Sequence, residues 1–148
     1  MLLPALSKAK VKAQGVQCMT NLKLTALSLH QYASEHNDTV PPAGSWCDAL
    51  LKSPVPPEAH NLVCPSGGKE HRSHYGLNSK LAGVPLGTVK QPGNTVLIFE
   101  IDGGWNVSGG PEALLTKARH GRGVAIGFVD GHAEVVMQPR LAQLRWEP

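Results

Sequence analysis

ALSKAKVKAQGVQCMTNLKLTALSLHQYASEH, residues 5–36, carries apolar side chains at Leu6, Ala9, Ala13 and Val16, then at Met19, Leu22, Ala26, Leu29 and Ala33, with Leu27 and Tyr32 beside the stripe. Spacings of three and four are the helical period, so this stretch is predicted to be one long α-helix. Gly15 alone interrupts it. His36-Asn37-Asp38, followed by Pro41-Pro42, ends it. At 1.5 Å per residue such a helix is roughly 45 Å long. That exceeds what the core of a small domain needs, so part of it is expected to project or to pack on something else. The apolar start, Met-Leu-Leu-Pro-Ala-Leu, reads either as a frayed helix start or as the end of a longer hydrophobic helix. It is not read as a secretory signal, which needs a basic stretch ahead of its apolar core.

Downstream of the helix the pattern changes. Residues 40–93 are rich in Pro and Gly and poor in periodicity; a short helix is expected over Trp46–Lys52, and Pro54-Val55-Pro56-Pro57 is a turn or extended connector. An irregular stretch this long is uncommon unless it is functional or tied down. Asn94–Ile101 reads as a buried strand, Arg122–Val129 as a second and His132–Met137 as a third. Asp130-Gly131 between the last two is a hairpin signal, read as a type I′ turn with positive φ at both residues. Pro139–Trp146 is expected to close the chain as a short helix with Leu141, Leu144 and Trp146 facing inward. The fold class is therefore α+β: a long N-terminal α-helix (1–38) packed on a small antiparallel β-sheet in a globular head (39–148). Within the head, residues 39–93 are the irregular part and 94–148 hold the sheet and terminal helix.

A chain of 148 residues suits one domain, and 41% hydrophobic with 17% charged residues excludes both a disordered polyampholyte and a membrane bundle. Aromatics at 5% are too few for a nucleic-acid stacking platform. Residues 1–34 carry Lys8, Lys10, Lys12 and Lys23 and no acid, whereas the remaining 10 basic and 11 acidic residues nearly cancel. The excess charge thus lies on the helix, not on a reading face, and no nucleic-acid partner is expected. A basic segment beside an apolar start suits an anionic lipid surface, or is simply a solvated helix face. Three cysteines, Cys18, Cys47 and Cys64, allow at most one disulfide and form no CxxC motif. Cys47 and Cys64 lie in the irregular region, where a cross-link helps most, and are the expected pair. Cys18, inside the helical pattern, reads as a small buried hydrophobe.

Seven histidines raise the question of metal or acid–base chemistry. His71 and His74, with Cys47 and Cys64, offer a Cys2His2 zinc set of unusual spacing; the simpler reading is solvated loop histidines. His120, Asp130 and His132 cluster in sequence around the hairpin and would suit a metal site or an acid–base pair if they met. Asp130, however, is already accounted for by the turn. Asp102, Asn106 and Ser108 have the spacing of oxygen ligands for calcium but lack the carboxylate density of a calcium loop. No GxSxG, HExxH, phosphate-binding loop or paired-carboxylate motif occurs, and no catalytic residue is assigned. The expectation is a protein that is not an enzyme and has no required cofactor.

Several short motifs recur in an order that is itself informative. MLLPALSKAK-x-KAQ is followed by Cys18-x-x-Asn21-Leu22-Lys23, then by Tyr32 to Asp38 at the helix end. Cys64-Pro65-Ser66, Tyr75-Gly76-Leu77-Asn78, His120 nine residues before Asp130-Gly131, and Leu141-x-x-Leu144-Arg145-Trp146 come next. Together they resemble type IV pilin-like proteins, and most of all the type II secretion pseudopilin-like proteins of Planctomycetes and Verrucomicrobia that end in an H-x9-DG processing-associated domain. The resemblance covers most of the chain. The short basic leader, cleavage-site glycine and Phe-Thr-Leu-Ile-Glu-type helix that open such prepilins are not among the 148 residues. No processing site or methylated residue is therefore assigned. Two readings stay open: a late start within a longer prepilin, or a copy that has lost its anchor.

The resemblance implies a structural pilin or pseudopilin subunit whose long helix forms a filament spine with other subunits. It places Lys8, Lys10 and Lys12 just outside the headgroups of the inner membrane before assembly, and the head in the periplasm or an extracellular filament. It implies an oxidised Cys47–Cys64 pair there. Secretion pseudopilins can bind calcium, but no ligand set carries over to this chain. The alternative is a soluble metal- or ligand-binding module on a pilin-type fold, using His71, His74 and Cys64, or His120 and His132. A third reading, a surface adhesin or DNA-uptake pilin, rests on the basic helix alone.

Overall fold

The computed structural model describes residues 2–54, 56–121 and 123–148. It is α+β, a long N-terminal helix packed on a five-stranded, mostly antiparallel sheet. Helix α1 runs from Leu2 to Glu35. It ends where Asn37 takes a left-handed conformation (φ 53°) and the Asp38 N–H turns back to the Ala33 carbonyl at 2.8 Å, satisfying a carbonyl the helix leaves open. Helix α2 (Trp46–Leu51) follows within the irregular middle. The sheet comprises β1 (Ser73–Asn78), β2 (Val96–Gly104), β3 (Ser108–Gly109), β4 (Gly123–Phe128) and β5 (Ala133–Met137), in spatial order β3-β1-β2-β4-β5. All neighbours are antiparallel except β1 and β3. One turn of helix, α3 (Gln138–Leu141), replaces the longer terminal helix expected over Pro139–Trp146. Arg145 instead bridges to Thr95, so the tail runs along the sheet.

Both faces of the sheet are covered, which is why β2 and β4 read as nearly unbroken apolar runs. On one face Cys18, Leu22, Ala26 and Leu29 of α1 pack with Tyr75, Leu77, Ile98 and Ala125. On the other, Phe99, Val124, Ile126 and Val136 pack under Leu115, Leu144 and Trp146. The helix lies very close to β4 because position 127 is glycine. A Cβ there would lie 2.7 Å from Ile98 Cγ2 and 3.5 Å from Leu22 Cδ2. Helix burial is confined to Cys18, Asn21, Leu22, Thr25, Ala26, Leu29 and Ala33. Before Cys18 no described residue of α1 is buried.

Two expectations are corrected. The middle is not wholly irregular, since residues 73–78 form a buried strand next to the centre of the sheet. Its polar residues Ser73, His74 and Asn78 hid it from an apolar-run reading. The β4–β5 turn is not type I′: among its residues only Gly131 has positive φ (92°), and the Gly131 N–H meets the Phe128 carbonyl at 3.0 Å. This is a three-residue loop, a type I turn closed by a left-handed glycine. In keeping with the excess length of the helix, no described residue in the first half of the apolar stripe on α1 is buried, and only an open groove against His120 and Val135 lies beside its end. The Pro54–Pro57 connector and the strand start at Arg122 fall partly outside the described residues.

The long middle is tied down by one loop. Asn106 (φ 55°) accepts the Cys47 and Asp48 N–H groups at 2.8 and 3.3 Å, capping α2 from a distance. Its amide donates to Asp48 Oδ2 at 2.6 Å, and Trp105 Nε1 donates to Asp48 Oδ1 at 3.0 Å. These two bonds hold the Asp48 carboxyl below its ordinary range. The Arg72 guanidinium stacks 3.6 Å over the Trp105 ring.

Candidate functional site

Five of the motif residues, Cys18, Asn21, Cys64, Tyr75 and His120, converge where α1 first meets the head. Asn21 Nδ2 donates to the carbonyls of Val63 (2.8 Å) and His60 (3.3 Å), and Thr25 Oγ1 donates to that of Asn61 (3.0 Å). These bonds carry the segment 60–63 under the helix and bring Cys64 to Cys18. The two form a disulfide, with Cα atoms 4.5 Å apart. The expected Cys47–Cys64 pair is therefore corrected. Cys47 is a free thiol on the buried side of α2, and burial pushes its pKa up to about 11, so it is a thiol at neutral pH. Sequence proximity suggested the wrong partner because docking of the helix decides which sulfurs meet.

Around the disulfide lies a polar network. The Tyr75 hydroxyl donates to the Cys18 carbonyl at 2.9 Å. His74 is buried, and its Nδ1 accepts the Cys64 N–H at 3.2 Å, which leaves the ring proton on Nε2 without a partner among the described residues. Burial holds the His74 pKa below the ordinary value. Gly67 packs its backbone on that ring; a Cβ there would fall 2.5 Å from His74 Cδ2. His120 Nε2 lies 3.6 Å from Cys64 Sγ and donates to Glu100 Oε1 at 3.0 Å. Glu100 is fully buried; its Oε2 accepts the Ala125 N–H at 2.7 Å, and the Arg119 guanidinium stands 3.8 Å from Oε1. A buried carboxylate is tolerated only with such partners.

The histidine of the H-x9-DG motif thus belongs to the disulfide, not to the hairpin. His120 precedes β4, whereas Asp130 and His132 lie at the far end of that strand, so the three do not form one site. There Asp130 Oδ1 accepts the His132 N–H at 3.0 Å and also meets the His132 ring. Partial burial raises the Asp130 pKa, but the His132 bonds outweigh it and the net shift is downward. Gly131 closes the turn. His71 and His74 meet edge to face, their ring centres 6.0 Å apart, and Cys47 does not form a ligand group with them. Asn106 is committed to α2 and Asp48, away from any joint role with Asp102 and Ser108. Among the described residues, Cys18, Cys64 and His120 are the one group of three Cys, His, Asp or Glu whose ligand atoms all lie within 4.8 Å of one another.

Other motifs act as ties. Asn78 donates to the carbonyls of Val96 (2.7 Å) and Trp146 (3.0 Å), fixing the chain terminus to β2, and Trp146 meets Phe99 edge-on at 5.0 Å. Sequence reasoning missed Glu100. Its signal was a carboxylate within the apolar run Thr95–Ile101, where a buried charge demands partners. Above the disulfide, a groove of about 470 Å³ runs between α1 and β5, lined by Lys12, Gly15, Val16, Met19, His120 and Val135. Among the described residues no helix is long and apolar enough to cross a membrane.

Comparison with protein-family models, curated proteins and solved structures finds no match.

Proposed function

We propose that the chain is a structural, non-catalytic subunit, a pseudopilin or pilin, of a type II secretion or type IV pilus-like filament, assembling with other subunits through its N-terminal helix. The observation that carries this reading is the abrupt end of helix burial at Cys18. Upstream of it, Leu2, Leu3, Leu6, Val11 and Val16 are 57–81% exposed on a continuous helix. Apolar side chains displayed along one arm favour a partner from outside the chain. Lys8, Lys10 and Lys12 on the same arm suit a position at the headgroups of the inner membrane in an anchored form. The Cys18–Cys64 disulfide suits a periplasmic or extracellular head.

The test is deletion of the gene, complemented by the wild type or by Leu6→Glu/Val11→Glu. The expected result is loss of filaments or secretion, restored by the wild type and not by the variant. Normal secretion and piliation in the deletion strain, with no paralogue substituting, overturn the reading.

A further inference from the structure

We infer that Cys18, Cys64 and His120 form a binding site for a thiophilic divalent cation, zinc by chemistry, when their disulfide is reduced. The inference rests on the side-chain cluster alone and is independent of the filament reading. The three ligands come from α1, from the loop before β1 and from the residue leading into β4. No local spacing motif announces them, and the fold alone brings them together. Two thiolates and an imidazole are the donor set zinc selects.

The distances fit. With zinc–sulfur bonds of about 2.3 Å and zinc–nitrogen bonds of about 2.0–2.1 Å, the sulfur-to-nitrogen edge of a tetrahedral site is roughly 3.6 Å. Cys64 Sγ and His120 Nε2 are already 3.6 Å apart. The three ligand atoms all lie within 4.8 Å of one another, and the fourth position of a tetrahedral site is left to water. Arg119, 3.8 Å from Glu100, offsets the buried carboxylate beside the site. The groove gives access, since α1 passes His120 at Gly15, where a Cβ would lie 3.4 Å from Nδ1.

The steps balance. A dithiol supplies two electrons and two protons, opening the disulfide to two thiols and closing to its own disulfide. Zinc then displaces the two thiol protons. The imidazole proton leaves Nε2 for Nδ1, which faces the groove, and Nε2 binds the metal. Disulfide and metal are therefore alternative cross-links between helix and head, and the metal form is open to a chain whose disulfide has not yet formed.

The experiment is an anaerobic cobalt(II) titration of the full chain, reduced with a phosphine that is then removed, followed by competition with zinc. One equivalent is expected to bind with thiolate-to-cobalt charge-transfer absorption, to be displaced by zinc, and to protect Cys18 and Cys64 from alkylation. The oxidised chain should bind none, Cys47→Ser should bind as the wild type does, and His120→Ala should bind at least tenfold more weakly. Less than about a tenth of an equivalent bound by the reduced chain overturns the inference, as does equal binding by the oxidised chain or by Cys18→Ser. Circular dichroism covers the case in which the reduced chain unfolds. Zinc must then restore the helical signal, and failure to do so equally overturns the inference.

Discussion

From Cys18 to Ala33, α1 buries seven residues against the head, whereas from Leu2 to Gln17 it buries none. The backbone is the same helix throughout, and the apolar period runs through both halves. The difference lies in what meets them. The second half is locked by the Cys18–Cys64 disulfide, by the Asn21 and Thr25 hydrogen bonds, and by the close approach over Gly127. The first half has lysines interleaved with small residues, Ala9 and Ala13, and only an open groove against β5 beside its end. Helical period reports that a face is apolar; it does not report whether the partner of that face belongs to the same chain.

Removing the lock should have the largest effect. The disulfide spans 46 residues, and the chain-entropy account gives such a link about 4 kcal/mol. Cys18→Ser/Cys64→Ser should therefore lower the melting temperature by roughly 10 °C, and a calorimetric scan without such a fall would deny the disulfide its role. Next comes a paired truncation across the boundary. Leu22→Ala, at a fully buried position, should cost about 3 kcal/mol. Leu6→Ala, at a position 68% exposed, should stay within about 0.5 kcal/mol. Denaturant midpoints decide this, and similar costs at both sites would erase the contrast.

The strands and the helix were legible for different reasons from the site. The period of α1 and the apolar runs of β2 and β4 are local properties of the sequence. β1 was not legible, because Ser73, His74 and Asn78 are buried polar residues whose partners are distant in sequence. Asn78 reaches Val96 and Trp146, and His74 reaches Cys64. The disulfide was misassigned for the same reason. His120 and Asp130-Gly131 stood out as a motif, yet the structure separates them, with the histidine at the disulfide and the Asp-Gly pair in the turn.

The smallest expected effect is the pH dependence. Burial depresses the pKa of His30 on the packed half of α1, against the opposing charges of Asp38 and Asp130, and it also depresses that of His74 beneath the helix. Between the unfolded value near 6.5 and the lower folded values, the unfolded chain binds more protons than the native one. Stability should then fall as the pH drops below about 6.5. A urea midpoint that holds or rises between pH 7.5 and 5.5 would contradict this.

The most direct test of the two-part helix is native-state amide hydrogen exchange, read on peptides from each half of α1 in the isolated chain. The account predicts exchange at least about a hundredfold slower for Leu22–Ala33 than for Leu2–Val16, because only the former is held by packing. Equal protection along the whole helix would mean that the first half has a partner within the chain, and the division at Cys18 would be wrong.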